Sequence, residues 1–95
     1  MPVAVVMDFD KASLDQYDKV IEGMGFRPGG PGAAGCLFHF AAAKGDGIRV
    51  VDVWSDRESF ERFAEDQIGP HTQAAGIETA PTVTFVDVHN HLTAN

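Results

Sequence analysis

The stretch that decides the fold is CLFHFAAAKGDGIRVVDVW, which occupies residues 36–54. Its two ends, 36–43 and 48–54, are rich in the aromatic and β-branched side chains that favour β-strands. The four residues between them, 44–47, read KGDG. An Asp-Gly pair suits the positive φ angles of a tight turn. The stretch therefore predicts an antiparallel β-hairpin.

The segments on either side of this hairpin add one strand and one helix each. Residues 3–7 and 82–88 are short β-branched runs and predict the first and last strands. Helices are predicted between each of these strands and the hairpin. The order β-α-β-β-α-β predicts an α+β, ferredoxin-like domain, with both helices on one face of a four-stranded antiparallel sheet.

Capping residues and apolar spacing predict where the two helices lie. Ser13 and Gln16 form a capping box for the first helix, and Ser55 and Glu58 form one for the second. Gly69-Pro70 is predicted to interrupt the second helix, because proline lacks an amide donor. The apolar stripes at helical spacing are Leu14, Tyr17, Val20, Ile21 and Met24 in the first helix and Phe60, Phe63, Ala64 and Ile68 in the second.

Composition narrows the class of protein. The 95 residues correspond to a single domain, 1–95, of which 89–95 is a polar tail. The net charge is −7 and the seven Lys and Arg residues are scattered, so we expect neither a nucleic acid nor a membrane as partner. A single cysteine, Cys36, and an N-terminus without signal-peptide character predict a cytoplasmic protein.

Strand alternation places the hairpin side chains on two faces, provided that the turn has an even number of residues. One face carries only apolar side chains, and we expect it to receive the helices: Phe38, Phe40, Val51 and Val53. The other face mixes apolar with polar side chains: Leu37, His39, Ala41, Val50, Asp52 and Trp54. This mixed face is expected to be covered by a second subunit, with a partly polar pocket between.

Four stretches resemble the dimeric α+β barrel superfamily, especially the antibiotic-biosynthesis-monooxygenase-like proteins. They are HFA at 39–41, DGIRVVDVWS at 46–55, FERF at 60–63 and GP at 69–70. The resemblance implies a homodimer whose sheets face each other, with one pocket per subunit between sheet and helices. Some members oxidise polyketide phenols with oxygen and no cofactor, whereas others cyclise polyketides, degrade haem or isomerise lactones. The Asn, His and Trp set of haem-degrading members has no full match here, since no Asn precedes Asn90.

His39 and Asp52 are the candidate catalytic residues. An imidazole can take a proton from a phenol or enol near neutral pH and return it. Asp52 would orient His39 or accept a substrate hydroxyl, since a buried carboxylate needs a partner. The structural alternatives are a histidine satisfied at a dimer face and an Asp52 bonded across the interface, for example to Arg49 of the partner chain.

Four further residues are candidate substrate-binding residues. Trp54 could stack on a flat aromatic ligand, and Phe63 could wall the pocket. Tyr17 could present its hydroxyl from the first helix, and His71 could reach a cleft from the Gly69-Pro70 break. Each has a structural alternative: core packing for the three aromatic residues and a surface position for His71.

Metal and cofactor sites are not predicted. His89 and His91 could contribute two ligands, but structural zinc generally needs four. Cys36 is expected to be a buried, unreactive thiol.

Three functions remain open on the sequence. The first is a cofactor-independent monooxygenase or cyclase acting on a small hydrophobic, aromatic or polyketide-like molecule. The second is a non-catalytic ligand-binding or stress-response module, and the third is a haem-handling protein.

Overall fold

A single antiparallel sheet forms the centre of the chain in a computed structural model, which describes residues 1–94. Its strands are β1 (Val3–Phe9), β2 (Cys36–Lys44), β3 (Gly47–Trp54) and β4 (Thr82–Asp87). They lie side by side in the order β2-β3-β1-β4, and all three pairings are antiparallel. The predicted α+β, ferredoxin-like sheet is therefore confirmed. Asn95, the last residue of the predicted polar tail, lies outside the described residues.

The β2–β3 hairpin has the even-length turn on which the predicted faces depend. Lys44 pairs with Gly47, so the turn contains two residues. His39 consequently lies directly opposite Asp52. A β-bulge near the start of β2 leaves Leu37 without a partner and sets Cys36 opposite Trp54. The strict alternation predicted for β2 therefore holds from residue 38 onwards, and Leu37 departs from it.

The first helix begins as predicted. In α1 (Leu14–Gly23) the Ser13 side chain accepts a hydrogen bond from the backbone N–H of Gln16, and the Gln16 side chain accepts one from the backbone N–H of Ser13. Val20 is buried against the core. Tyr17 of this helix packs against the core, and its hydroxyl reaches His39 of β2.

The second helix differs from the prediction at its start. Asp56, rather than Ser55, caps α2 (Arg57–Phe63), because its carboxylate accepts a hydrogen bond of 2.7 Å from the backbone N–H of Ser59. This hydrogen bond also lowers the pKa of the Asp56 carboxyl. An ionised carboxylate is a strong acceptor and suits the positive end of the helix dipole.

The predicted interruption at Gly69-Pro70 is also wrong. A π-helical turn, Ala64–Ile68, connects α2 directly to α3 (Gly69–Ala74). Within this wider turn the Gly69 N–H donates to the Ala64 carbonyl, five residues back. Pro70 then lies in the first turn of α3, where a missing amide donor costs little. The helical path therefore continues past the proline.

The core lies between the sheet and the helices, and it uses the opposite sheet face from the one expected. The helices cover the face of His39, Asp52 and Trp54, and Trp54 is only 1% exposed. The apolar face, by contrast, remains uncovered, with Phe38 52% and Phe40 44% exposed. The expectation failed because it assumed that the polar side chains of this face could not lie in a core. In the structure they form hydrogen bonds with one another there.

The uncovered side of the sheet, called the open face below, is apolar along its centre. Strand pairing places eight apolar side chains on it: Ala4, Val6, Phe38, Phe40, Ala42, Val51, Val53 and Val86. Arg49 lies near its end and donates two hydrogen bonds to the Asp8 carboxylate of the neighbouring strand. The open face of one chain is therefore an apolar surface with a charged margin.

The close approach of β3 to the end of β1 gives a first prediction. A Cβ on Gly47 would lie 2.2 Å from the Phe9 carbonyl oxygen, so Gly47→Ala forces the backbones apart. We expect this substitution to lower the free energy of unfolding by about 2 kcal/mol or more, measured by urea denaturation. Gly32→Ala is the control, since no atom lies within 4 Å of its Cβ position. Equal midpoints for the two variants would contradict the packing at Gly47.

Candidate active site

A cleft of about 1130 Å³ lies between the helices, the start of β2 and the loop that connects α1 to β2. Its walls are largely apolar and include Val20 and Ile21 of α1, Phe26 of the loop, Phe63 of α2 and Ile68 of the π-helical turn. A concave space lined mainly by apolar side chains with a few polar groups has the character of a site for a small organic ligand.

A continuous line of four hydrogen-bonded side chains forms one wall of this cleft. The Trp54 indole N–H donates to Asp52 Oδ2 over 3.0 Å. His39 Nδ1 lies 2.5 Å from Asp52 Oδ1, and His39 Nε2 lies 2.5 Å from the Tyr17 hydroxyl. The sequence-predicted residues His39, Asp52, Trp54 and Tyr17 are therefore brought together, and we call them the Tyr-His-Asp-Trp line.

The strands and the first helix explain how this line forms. His39 and Asp52 are direct cross-strand partners in the hairpin. Trp54 follows Asp52 by two residues, so both side chains leave β3 on the same face. Tyr17 is the fourth residue of α1 and belongs to its apolar stripe. Its side chain packs against the core and reaches the line from there. Local secondary structure therefore positions three members, and helix packing adds the fourth.

For a neutral His39 and an ionised Asp52, the donors and acceptors in the line fit one arrangement of protons. An ionised Asp52 carboxylate can only accept hydrogen bonds, so His39 Nδ1 must carry a hydrogen. In a neutral imidazole Nε2 is then an acceptor, and the Tyr17 O–H donates to it. Asp52, which is 3% exposed, thus has a donor on each oxygen.

Burial and negative charge both act on the Tyr17 hydroxyl. Burial raises the pKa of Tyr17 to about 12, and the nearby Asp52 and Asp18 carboxylates add to the rise. Burial and Asp52 likewise raise the pKa of the Cys36 thiol to about 11. Tyr17 and Cys36 therefore stay protonated at neutral pH, and Cys36 lacks the thiolate that a nucleophilic cysteine requires.

Aromatic side chains hold Trp54 in place. The Trp54 ring lies 5.2 Å from the Phe63 ring and 5.9 Å from the Phe60 ring, measured between centroids. Phe63 and Trp54 both line the cleft. With its indole N–H bonded to Asp52 and its ring packed, Trp54 forms a fixed part of the wall.

His71 lies apart from these residues. It is half-buried where α1 meets α3, with its Nδ1 2.9 Å from the Cβ position of Gly23, and it is absent from the cleft lining. A substrate-binding role for His71 stays a prediction that the cleft geometry does not favour.

Across residues 1–94 no group of three or more His, Cys, Asp or Glu side chains could hold a metal ion.

The loop at residues 26–35 is the part of the site that the sequence did not assign. Its residues from Phe26 to Ala33 line one side of the cleft. The signal available in the sequence was the density of glycine and proline, which predicts a loop but not its position over the hairpin.

None of the helices in the described part of the chain combines the length and apolar character needed to cross a membrane.

The ionisation of Tyr17 leads to a prediction on alkaline stability. A pKa near 12 in the folded chain, against 10.0 for an ordinary tyrosine, means that the neutral hydroxyl favours folding below pH 10. This contribution is lost as the pH rises from 10 to 12. The free energy of unfolding of Tyr17→Phe should therefore fall less steeply than that of the wild type over this interval, in urea titrations at stepped pH. Parallel curves for the two proteins would refute the raised pKa.

The fold is similar to that of three solved proteins. SnoaB, a cofactor-independent oxygenase from Streptomyces nogalater solved as a mutant, is 17% identical, with 98% of each chain covered and a TM-score of 0.62. A conserved protein from Methanosarcina mazei Go1 is 10% identical, with 90% of this chain and 91% of that chain covered and a TM-score of 0.64. A monooxygenase from the gene ActVA-Orf6 of Streptomyces coelicolor, solved with the ligand Nanaomycin D, is 20% identical, with 99% and 92% covered and a TM-score of 0.53.

No protein-family model and no curated protein matches the sequence significantly. The likeness to the solved structures nevertheless extends over nearly the whole chain, and it agrees with the resemblance carried by the hairpin. The chain therefore has the same ferredoxin-like α+β fold as these solved proteins.

Proposed function

We propose that the protein is a cofactor-independent monooxygenase that removes a proton from a small aromatic phenol or enol. The observation that carries this proposal is the hydrogen-bonded series Tyr17, His39 and Asp52 in the wall of a large, mainly apolar cleft. The fold shared with a cofactor-independent oxygenase and with a second monooxygenase supports it.

His39 is the base in this proposal, and Asp52 is its positioning residue. When His39 takes up a proton, the imidazolium lies 2.5 Å from the Asp52 carboxylate, which stabilises the new positive charge. The Trp54 N–H holds the other carboxylate oxygen, so Asp52 cannot rotate away. Fixed dipoles and charges of this kind need little reorganisation during proton transfer.

The oxidation step needs only the substrate anion and dioxygen. Anthrone is a suitable probe, since it is a tricyclic ketone whose enol is a phenol. Loss of the hydroxyl proton of this enol gives an anion that reduces O2 and forms a C–O bond at the carbon that is CH2 in the ketone. The resulting peroxide takes up a proton and loses water, so that CH2 and O2 become C=O and H2O. The apolar cleft walls would limit the access of water to the anion.

Two other functions compete with this one. A cyclase would use the same base on a polyketide-like substrate without consuming oxygen, and a non-catalytic module would bind the ligand unchanged. Haem handling has less support, because both ring nitrogens of His39 are engaged in hydrogen bonds.

Cytoplasmic location stays a prediction from the single cysteine.

Replacement of His39 tests the proposed base. We expect His39→Ala to lower the rate of anthrone-dependent oxygen uptake about a hundredfold or more, since a positioned base contributes roughly 10²–10⁴. His89→Ala, which removes an exposed histidine of the tail, is the matched control and should keep the wild-type rate. An unchanged rate for His39→Ala would remove the basis for the proposal.

We also propose that two chains associate through the open face. Phe38, Phe40 and Val86 are 52%, 44% and 55% exposed on one sheet surface, and exposed apolar surface of this kind marks an interaction site. A second copy of the same face is complementary to it in character. The homodimer expected from the resemblance is thus retained, but through the face opposite to the one first expected.

Polar substitutions on the open face test this association. The double substitution Phe38→Ser with Phe40→Ser should convert a dimer mass into a monomer mass in light scattering at micromolar concentration, because it removes the centre of the apolar surface. Leu14→Ser is the control, since Leu14 is 44% exposed on α1, away from the open face. A monomer mass for the unmodified protein would contradict the proposal.

A further inference from the structure

The imidazole of His39 offers no free nitrogen to a substrate. About a third of the side chain, 32%, is exposed, yet Nδ1 is bonded to Asp52 and Nε2 to Tyr17. Both ring nitrogens are therefore already engaged in hydrogen bonds. A substrate in the cleft must either displace Tyr17 or deliver its proton through it.

We propose that the Tyr17 hydroxyl is the group that contacts the acidic hydroxyl of the substrate and that it relays the proton to His39. This inference rests on the proposed function and makes Tyr17 a catalytic residue. After Tyr17 donates its hydrogen to Nε2, its oxygen keeps lone pairs that can accept a hydrogen bond from the cleft side. Tyr17 is one of the residues that line the cleft.

The relay moves one proton by two coupled transfers. The substrate O–H bond breaks as a bond forms to the Tyr17 oxygen. At the same time the original Tyr17 O–H bond breaks as a bond forms to His39 Nε2. The products are a substrate anion, a neutral Tyr17 and an imidazolium that donates to Asp52. No tyrosinate forms, in agreement with a Tyr17 pKa raised to about 12.

The geometry of the two rings suits such a transfer. The planes of Tyr17 and His39 differ by 11° and their centroids are 5.9 Å apart. Together with the 2.5 Å separation of Oη and Nε2, these values describe two rings that meet end to end. The Tyr17 hydroxyl is thus the atom of that ring that meets Nε2.

The relay also narrows the class of substrate. Transfer through a hydroxyl oxygen is fast when the donor is itself hydrogen-bonded to that oxygen, which an O–H acid achieves and an aliphatic C–H does not. The inferred substrate is therefore a flat molecule that presents a phenol or enol hydroxyl to Tyr17. Asp18, on the residue next to Tyr17, adds negative charge at this position and disfavours a substrate that arrives already ionised.

Ionisation of a bound chromogenic phenol tests the relay without requiring turnover. The probe is 4-nitrophenol, whose anion absorbs visible light, at a pH where the free probe is mostly neutral. The wild-type protein should raise the ratio of anion to neutral phenol about tenfold on binding, equivalent to about one pKa unit. Tyr17→Phe should still bind the probe but return this ratio to that of the free phenol. Phenylalanine keeps the aromatic ring of Tyr17, so the substitution removes only the hydroxyl.

Thr79→Val is the control for this experiment, since it removes a hydroxyl that lies outside the large cleft and donates to the Asp10 carbonyl. It should behave as the wild type. Binding without ionisation by the wild type, or full ionisation by Tyr17→Phe, would overturn the relay.

Anthrone oxidation separates failure of the relay from failure of the proposed function. If Tyr17 and His39 act as one unit, Tyr17→Phe, His39→Ala and the double variant should lose oxygen uptake to a similar extent. A slow His39→Ala with an unchanged or faster Tyr17→Phe would show that His39 meets the substrate directly and would overturn the relay alone. An undiminished rate in His39→Ala would instead overturn the proposed function.

Discussion

The buried carboxylate of Asp52 is the constraint on which the rest of the structure depends. An unpaired carboxylate in a protein interior is costly, so each of its oxygens must be matched by a donor. Trp54 supplies one donor and His39 the other. These two contacts fix the orientation of the indole and of the imidazole, and the orientation of the imidazole in turn places Nε2 where Tyr17 can donate to it. One buried charge thus orders four side chains from three elements.

This constraint also decides which sheet face becomes the core. Judged by hydrophobicity alone, the face of Phe38 and Phe40 is the better surface for the helices. The structure instead covers the face that carries Asp52, because there the polar groups satisfy each other and can be enclosed at little cost. The apolar face is left uncovered in the single chain, which motivates the proposed homodimer.

The cleft arises from segments that do not follow regular strand or helix geometry. The π-helical turn at Ala64–Ile68 carries the helical path past Pro70 and brings Ile68 to the cleft. The glycine- and proline-rich loop at 26–35 forms much of the opposite side. The bulge at Leu37 lets Cys36 face the same interior as Trp54. Such irregularities commonly occur next to functional sites.

The amino-acid sequence by itself determined the order of elements and the capping of α1, because these depend on neighbours within a few residues. It placed His39 and Asp52 on one face only for a turn of even length, and the two-residue turn of the structure sets them opposite each other. Only the tertiary structure decided which face was buried, that α2 continues into α3, and that Tyr17 joins His39 while His71 does not line the cleft. Those outcomes depend on how α1 and the 26–35 loop pack over the sheet. Packing depends both on how much apolar surface is buried and on whether buried polar groups find hydrogen-bond partners. Both involve residues far apart in the chain, and local sequence patterns do not encode the balance between them.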